Sequence, residues 1–366
     1  MDKLKNFLDG IIELYERKGI ITRNSEFLFL AANAYQIQGK YNKVFEIVSL
    51  DDLHPGLFNV EAYTLISQRK FDEVKKIIEK TNELSQHIDP YNFLLANANR
   101  LLFYYYSQDF DKIPNEIENF THLYRELCDR YSTDDNLLMA ITEAYALGKS
   151  ILINLRRREG NLEEGATIGN ELIYLIRKNQ NRYLLNRLLN NTALCLIESG
   201  NLKDGLGYLE EHFKFSQILA NEVQLAISAN NIGFIYRNMG DIESAMKYFY
   251  IALENSKKAN ISLYIVASET NIAHLHLDFG NPKLALSNSE IALENLNKSK
   301  VPIPPQIKIT LDLCRADIYE NLDQFNDADK ILDEALIDIN EANLTNESSK
   351  VFLRKSQVIC KTIKFR

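Results

Sequence analysis

The sequence has no tryptophan, only 4 cysteines among its 366 residues, and no excess of basic charge. Its formal net charge is −8, whereas contacts to nucleic-acid phosphates require clustered Lys and Arg, so we expect no direct nucleic-acid binding. Cys128, Cys195, Cys314 and Cys360 are scattered and show no CxxC spacing. This excludes a disulfide-rich scaffold and favours reduced thiols in a cytoplasmic protein.

Proline and glycine are also scarce, with 7 and 14 residues, although 46% of the chain is hydrophobic. Leucine, isoleucine, alanine and glutamate dominate over valine, a mixture that favours helices. We find no stretch of the ~18 apolar residues that a membrane span needs, and the N-terminal segment is amphipathic. We therefore expect a helical protein with no membrane partner.

A period of forty residues organises the middle of the chain. Gly160, Gly200, Gly240 and Gly280 lie one period apart, and an Asn or Asp follows each of them. Glycine suits a tight turn after a helix, and Asn or Asp suits the N-cap of the next helix. The period therefore predicts stacked helix–turn–helix units, the pattern of a solenoid.

Two positions around Gly200, Gly240 and Gly280 hold only small residues, as expected where two helices cross closely. They lie seven residues before and five residues after these glycines and comprise Ala193, Gly233, Ala273, Gly205, Ala245 and Ala285, whereas Ile153 stands seven residues before Gly160. Bulky residues lie four positions before the glycines, at Leu196, Tyr236 and His276. Weaker copies have their turns at Gly39, Arg69, Gln108 and Asp323.

This pattern resembles the tetratricopeptide repeat (TPR) in its longer variety, with about eight repeats over residues 20–340; HEAT or armadillo repeats are the alternative. The resemblance implies an all-α, right-handed superhelical solenoid of about eight TPR-like helix pairs with terminal capping helices. We expect an N-terminal capping helix at residues 1–19 and irregular repeats at 20–135. Regular forty-residue repeats follow at 136–340, and a C-terminal capping helix at 341–366.

In the TPR family the first helix of each pair lines a concave groove that binds peptides. Read with helical spacing, the inward stripe predicts these peptide-binding residues: Asn99, Tyr105, Arg187, Asn190, Asn191, Leu194, Asn230, Asn231, Phe234, Arg237, Asn238, Asn271, His274 and Asp278.

A row of asparagines is the main feature of this stripe. Asn191, Asn231 and Asn271 share one repeat offset, with Asn99 at the same offset in an earlier repeat. Because an amide side chain both donates and accepts, such a row can pair with a peptide backbone. The alternative is that these asparagines bond to the adjacent helix.

Other residues of the stripe suit the side chains of a ligand. Phe234, Leu194 and Tyr105 would form apolar pockets, while Arg187 and Arg237 could contact a carboxylate. A clamp for a C-terminal carboxylate would need further basic residues beside the asparagines, and no full set is present.

Catalytic and metal-binding patterns are missing from the sequence. His274 and Asp278 share a helix face, but His276 points elsewhere, and a metal site needs three or four converging ligands. Phosphate-binding and nucleophile motifs are not seen either. We expect a non-enzymatic protein without cofactors.

The long repeats and the asparagine row are similar to the sensor domains of Rap/PlcR-type peptide-responsive regulators. Those regulators carry a DNA-binding or effector helical domain before their repeats, whereas here the first helix leads directly into repeat-like sequence. The sequence favours a peptide-binding scaffold, and the resemblance implies a peptide-sensing regulator. The alternative is an assembly adaptor that binds a folded partner, and the oligomeric state is not specified.

Overall fold

The computed structural model describes residues 2–51, 53–179, 181–219, 221–299, 301, 303–342 and 344–364. Every regular element in these ranges is helical, which confirms the predicted all-α class. The chain divides into two compact units, Met1–Asn221 and Glu222–Arg366. The predicted capping segments include residues 1, 343, 365 and 366, which lie outside the described ranges.

The first unit consists of helices that pack mainly on their sequence neighbours. Their bounds are α1 Asp2–Thr22, α2 Ser25–Ile37, α3 Tyr41–Val48, α4 Pro55–Ser67, α5 Phe71–Ser85, α6 Pro90–Tyr106, α7 Ile113–Arg130, α8 Asp135–Lys149, α9 Ile151–Arg158, α10 Leu162–Asn179, α11 Arg182–Glu198 and α12 Leu202–Ile218. A single turn of 3-10 helix, Phe110–Lys112, precedes α7. Helix α1 continues through Gly19 to Thr22, three residues beyond the predicted end of the cap, and Gly19 packs on Leu28.

The second unit repeats one helix pair almost unchanged. Its helices are α13 Glu222–Asn238, α14 Ile242–Ala259, α15 Ser262–Asp278, α16 Pro282–Lys298, α17 Pro305–Asn321, α18 Phe325–Glu341 and α19 Thr345–Lys364. Each helix packs on the next in sequence, and α15 also packs on α13 and α17. The first helices of the pairs therefore form one layer and the second helices another.

The turns between paired helices have the left-handed backbone that the glycine pattern predicts. Gly160, Gly200, Gly240 and Gly280 all have positive φ angles, as does Gly39. The weaker copies keep this geometry without glycine, with φ of 58° at Arg69, 66° at Gln108 and 59° at Asp323. The turn is therefore a property of the repeat and not of the glycine alone.

The small residues lie where the paired helices cross. Ala245 and Ala273 are fully buried, and a Cβ atom placed on Gly233 would lie 2.7 Å from the ring of Phe249. A Cβ atom on Gly205 would likewise lie 2.7 Å from the side chain of Ile197. Close helix approach explains the restriction to glycine and alanine.

One helical stretch, Asp135–Arg158, is long and apolar enough to cross a membrane by length and composition, a property that we did not expect from the sequence. It comprises α8 and α9 and lies inside the first unit. Ile141, Ile151 and Ile153 are fully buried in the core. Core packing therefore accounts for its apolar composition.

Candidate functional site

The repeat period places residues from successive repeats side by side in the second unit. Hydrogen bonds join side chains of α13 and α15 that are 41 positions apart in sequence. We call the partly exposed side chains of the first helices the α13–α15–α17 face. Eight predicted residues lie on it: Asn230, Asn231, Phe234, Arg237, Asn238, Asn271, His274 and Asp278.

Two asparagines on this face form an amide pair. The Nδ2 of Asn271 donates to the Oδ1 of Asn230 at 2.8 Å. Among the described residues, the Nδ2 of Asn230 and the Oδ1 of Asn271 make no hydrogen bond of their own. Both residues are partly exposed, so the pair presents the free NH₂ group of Asn230 and the free carbonyl oxygen of Asn271 to solvent.

An exposed aromatic side chain lies beside the amide pair. Phe234 follows Asn230 by four positions and Asn231 by three, which places all three on one side of α13. Phe234 is 43% exposed, so its ring offers apolar surface to solvent. Contact with an apolar group of a ligand would remove the ring of Phe234 from water.

Two charged residues of the predicted peptide-binding set, Arg237 and Asp278, pair with each other. The Nε and Nη2 of Arg237 donate to the two carboxylate oxygens of Asp278 at 2.5 and 3.1 Å. This is the bidentate geometry favoured by guanidinium and carboxylate groups. Arg237 and Asp278 therefore present a neutral pair, and not two separate charges.

The charged end of the face is closed by the C-terminal helix. A pocket of about 480 Å³ is bounded by Arg237, Asp278, Asp317, Glu320 and Arg354. Arg354, from α19, donates to Asp317 at 2.7 Å, and Lys361 forms an ion pair with Glu320. Acidic and basic groups balance here, so the pocket favours no ligand of strong net charge.

His274 lines the same pocket. Burial disfavours the imidazolium form and Arg237 adds repulsion, which together lower the pKa of His274 to about 4. His274 is therefore a neutral donor and acceptor near pH 7. Among the described residues, no group of three or more His, Cys, Asp or Glu side chains could hold a metal ion.

Two of the pocket residues could have been predicted from the repeat. Asp317 lies six positions before the turn residue Asp323, the same offset that His274 has before Gly280. Glu320 lies three positions before its turn, as Arg237 does. Arg354 has no such signal, because it comes from the helix that follows the last repeat.

In the first unit the predicted residues occupy several environments. Asn99 is only 1% exposed and lines a cavity together with Arg187. Tyr105 packs edge-on against both Tyr106 and Phe110, inside an aromatic cluster. The remaining predicted residues, Asn190, Asn191 and Leu194, are partly buried on α11.

Comparison with known proteins supports the repeat assignment. Residues 226–258, within α13 and α14, match the tetratricopeptide repeat family. A search of curated protein sequences finds no match.

Several solved structures share this fold. One is a signal-transduction ATPase with a tetratricopeptide repeat sensor from Pyrococcus horikoshii, at 13% identity and a TM-score of 0.63. The similarity covers 94% of this chain and 53% of that one, so this chain spans about half its length.

Two further structures are similar over nearly their whole length. A Rap protein complexed with competence and sporulation factor has 11% identity and a TM-score of 0.53, over 100% of this chain and 99% of that one. NprR in complex with its cognate peptide NprX has 14% identity and a TM-score of 0.52, over 93% and 97%. These similarities confirm the predicted solenoid fold and the resemblance to TPR and Rap-type proteins.

Proposed function

We propose that this chain is a non-enzymatic, peptide-binding scaffold that holds an extended peptide along the α13–α15–α17 face and serves as a peptide-sensing regulator in the cytoplasm. The observation that carries the proposal is the Asn230–Asn271 amide pair. Its free NH₂ group, on Asn230, and its free carbonyl oxygen, on Asn271, match the C=O and N–H of a peptide backbone. Such pairing is independent of the sequence of the peptide.

Side-chain selectivity would come from the groups on either side of the pair. Phe234 offers an apolar contact, and the neutral Arg237–Asp278 pair borders a polar pocket. A peptide with an apolar residue followed by uncharged polar residues fits this order best. Structures of similar fold contain bound ligands, competence and sporulation factor for Rap and the peptide NprX for NprR, which supports a peptide as the class of ligand.

A displayed library of random heptapeptides tests this proposal. We expect wild type to enrich a defined set of peptides and an Asn230→Ala/Asn271→Ala variant to bind them about tenfold more weakly. Each lost hydrogen bond to the backbone contributes about 0.5–1.5 kcal/mol. Fluorescence anisotropy with the enriched peptides measures the difference in affinity.

The matched control is an Asn255→Ala/Asn295→Ala variant. Both of these side chains bond to their own helices, α14 and α16, in the other layer. Equal affinity of the control variant and wild type for the enriched peptides, with weaker binding by Asn230→Ala/Asn271→Ala, supports the proposal. Enriched peptides that bind all three proteins equally would show that the amide pair is not the site.

The second candidate function is the assembly adaptor. The observation that supports it lies in the layer of second helices. Large apolar side chains are exposed there on three helices: Tyr250 51%, Leu284 53%, Ile291 40% and Ile337 57%. Exposed apolar residues grouped on one surface commonly mark protein interfaces. A Tyr250→Lys/Ile291→Lys variant that loses a co-purifying folded partner, while keeping peptide binding, would favour this function.

A further inference from the structure

The first helices of the repeats in the first unit surround a small cavity. Residues of α2, α4, α6, α8 and α11 line it, and its volume is about 150 Å³. Pockets that hold organic ligands usually measure about 300–1,000 Å³, so a peptide segment does not fit inside. We call this space the first-unit cavity. In the first unit, the side of the first helices that would line a groove is therefore turned inward and closed.

One contact across the cavity joins α4 to α11. The Nη1 of Arg187 donates to the hydroxyl of Tyr63 at 2.7 Å, although these residues lie 124 positions apart in sequence. The guanidinium also lies 5.5 Å from the centroid of the Tyr63 ring. Its Nη2 is buried without a hydrogen-bond partner. Water would hydrate this N–H group if α4 and α11 separated, which offsets part of the cost of losing the contact.

Two more contacts join α2 to the last repeat of the first unit. The Nε2 of Gln36 lies 3.5 Å from the hydroxyl of Tyr183 on α11. The Nδ2 of Asn221, which follows α12, donates to the backbone oxygen of Ile37. These partners lie 147 and 184 positions apart, so the first unit closes on itself. We call these two contacts and the Arg187–Tyr63 contact the cavity seam.

The two sides of the cavity seam have separate apolar cores. Helices α1, α2, α3 and α4 share one buried cluster, which includes Leu28, Ile47 and Leu57. Helix α11 belongs to another, formed with α8, α9 and α10 by residues such as Ile173 and Leu188. Among the described helices, neither α2 nor α4 packs along α11. Breaking the seam therefore separates polar groups that water can solvate and leaves both clusters intact.

We propose that the cavity seam is a latch. The first unit exchanges between a closed form, in which the seam is made, and an open form, in which α2 and α4 separate from α11. The open form exposes the inward side of the first helices, including Tyr63, Tyr183 and Arg187, and the closed form withholds this side from any macromolecular partner. The latch acts within the first unit and does not depend on peptide binding at the α13–α15–α17 face.

Double electron–electron resonance measures the opening in the full chain. Spin labels on Asn42→Cys and Lys214→Cys, two exposed positions, report the distance between α3 and α12, which pack on α2 and α11. Cys128→Ser and Cys360→Ser remove the two cysteines that are not buried. With the seam unaltered, we expect one dominant distance between the labels.

A Tyr63→Phe/Asn221→Ala variant of the labelled chain lacks two contacts of the seam. We expect it to show a second, longer distance, with an open fraction about tenfold above that of the unaltered seam, because a hydrogen bond from a charged group is lost. The matched control is Tyr208→Phe/Asn170→Ala, which removes an exposed hydrogen bond between α12 and α10 of the same unit. The control should leave the distance unchanged.

Two results overturn the proposal: the same distance distribution in the seam variant as in the unaltered chain, or an equal shift in the control variant. If circular dichroism at 222 nm shows that Tyr63→Phe/Asn221→Ala does not fold, Tyr63→Phe alone removes a single oxygen atom and should still populate the longer distance. Its absence from that variant would equally refute the latch.

Discussion

Replacing a left-handed turn residue by glycine should stabilise this protein. Gln108 lies in the turn after α6 with a φ of 66°, and its exposed side chain makes no hydrogen bond among the described residues. A residue with a Cβ atom is disfavoured in this conformation, whereas glycine adopts it freely. Gln108→Gly therefore isolates a backbone effect.

The magnitude follows from two opposing terms. The left-handed conformation costs a non-glycine residue about 1–2 kcal/mol. Glycine loses about 0.5–1 kcal/mol more conformational entropy on folding. The net gain for Gln108→Gly is about 0.5–1 kcal/mol of unfolding free energy. The reverse change, Gly240→Ala, should cost a similar amount, because its new Cβ would meet no atom within 4 Å.

Urea denaturation followed by circular dichroism at 222 nm measures both changes. Ser107→Gly is the matched control, since Ser107 precedes Gln108 and has an ordinary helical φ of −81°. The control should lose about 0.5–1 kcal/mol, the usual cost of glycine. If Gln108→Gly lost as much stability as Ser107→Gly, the left-handed turn would not be the strained feature that we describe.

Three other changes have expected outcomes. Gly233→Ala should cost about 1–3 kcal/mol in urea denaturation, because the new methyl would overlap the ring of Phe249, and Phe249→Leu should recover part of the loss. A double-mutant cycle on Arg237 and Asp278 should give a coupling of about 0.2–1 kcal/mol that decreases in 1 M NaCl, as expected for a partly exposed pair. Burial raises the pKa of Asp312 to about 6, so the folded protein binds the proton of this carboxyl more tightly than the unfolded chain does. The stability that the protonated carboxyl contributes at low pH is therefore lost as pH rises through 6. Asp312→Asn should therefore be more stable than wild type by about 2 kcal/mol at pH 7.5, and the difference should disappear near pH 4 in denaturation curves at the two pH values.

The fold was predictable because its requirements are local and repeated. The left-handed turn at Gly240 and the crossing at Gly233 each restrict one position to a small residue, and the restriction recurs every forty residues. The same period also predicted that Asn230 and Asn271 lie on neighbouring helices. It could not show that they would bond to each other, since that depends on side-chain rotamers and on the distance between the helices.

The charged pocket shows where the period stops being informative. Asp317 follows from its offset before the last turn, but Arg354 does not, because α19 lies outside the repeat and docks through ion pairs. In the first unit, Asn92 has no equivalent in the regular repeats. Its Oδ1 accepts a hydrogen bond from the Nδ2 of Asn59, a contact that is visible only once α4 and α6 are placed side by side.

Three buried asparagines of the first unit, Asn59, Asn92 and Asn99, are joined to Asp89 by a chain of hydrogen bonds. Asp89 caps the N-terminus of α6, and its carboxylate accepts from both the backbone N–H and the side chain of Asn92. The backbone fixes the same direction, because the Nδ2 of Asn59 also donates to the C=O of Asn92 and the Nδ2 of Asn99 also donates to the C=O of Asn59. Changing Asp89 to asparagine would therefore leave the three amides in their present orientation, since reversing them would set amide oxygens against these carbonyl oxygens. The orientation of these buried side chains is thus held by the main chain as well as by the cap, and it can persist in evolution even where the capping residue changes.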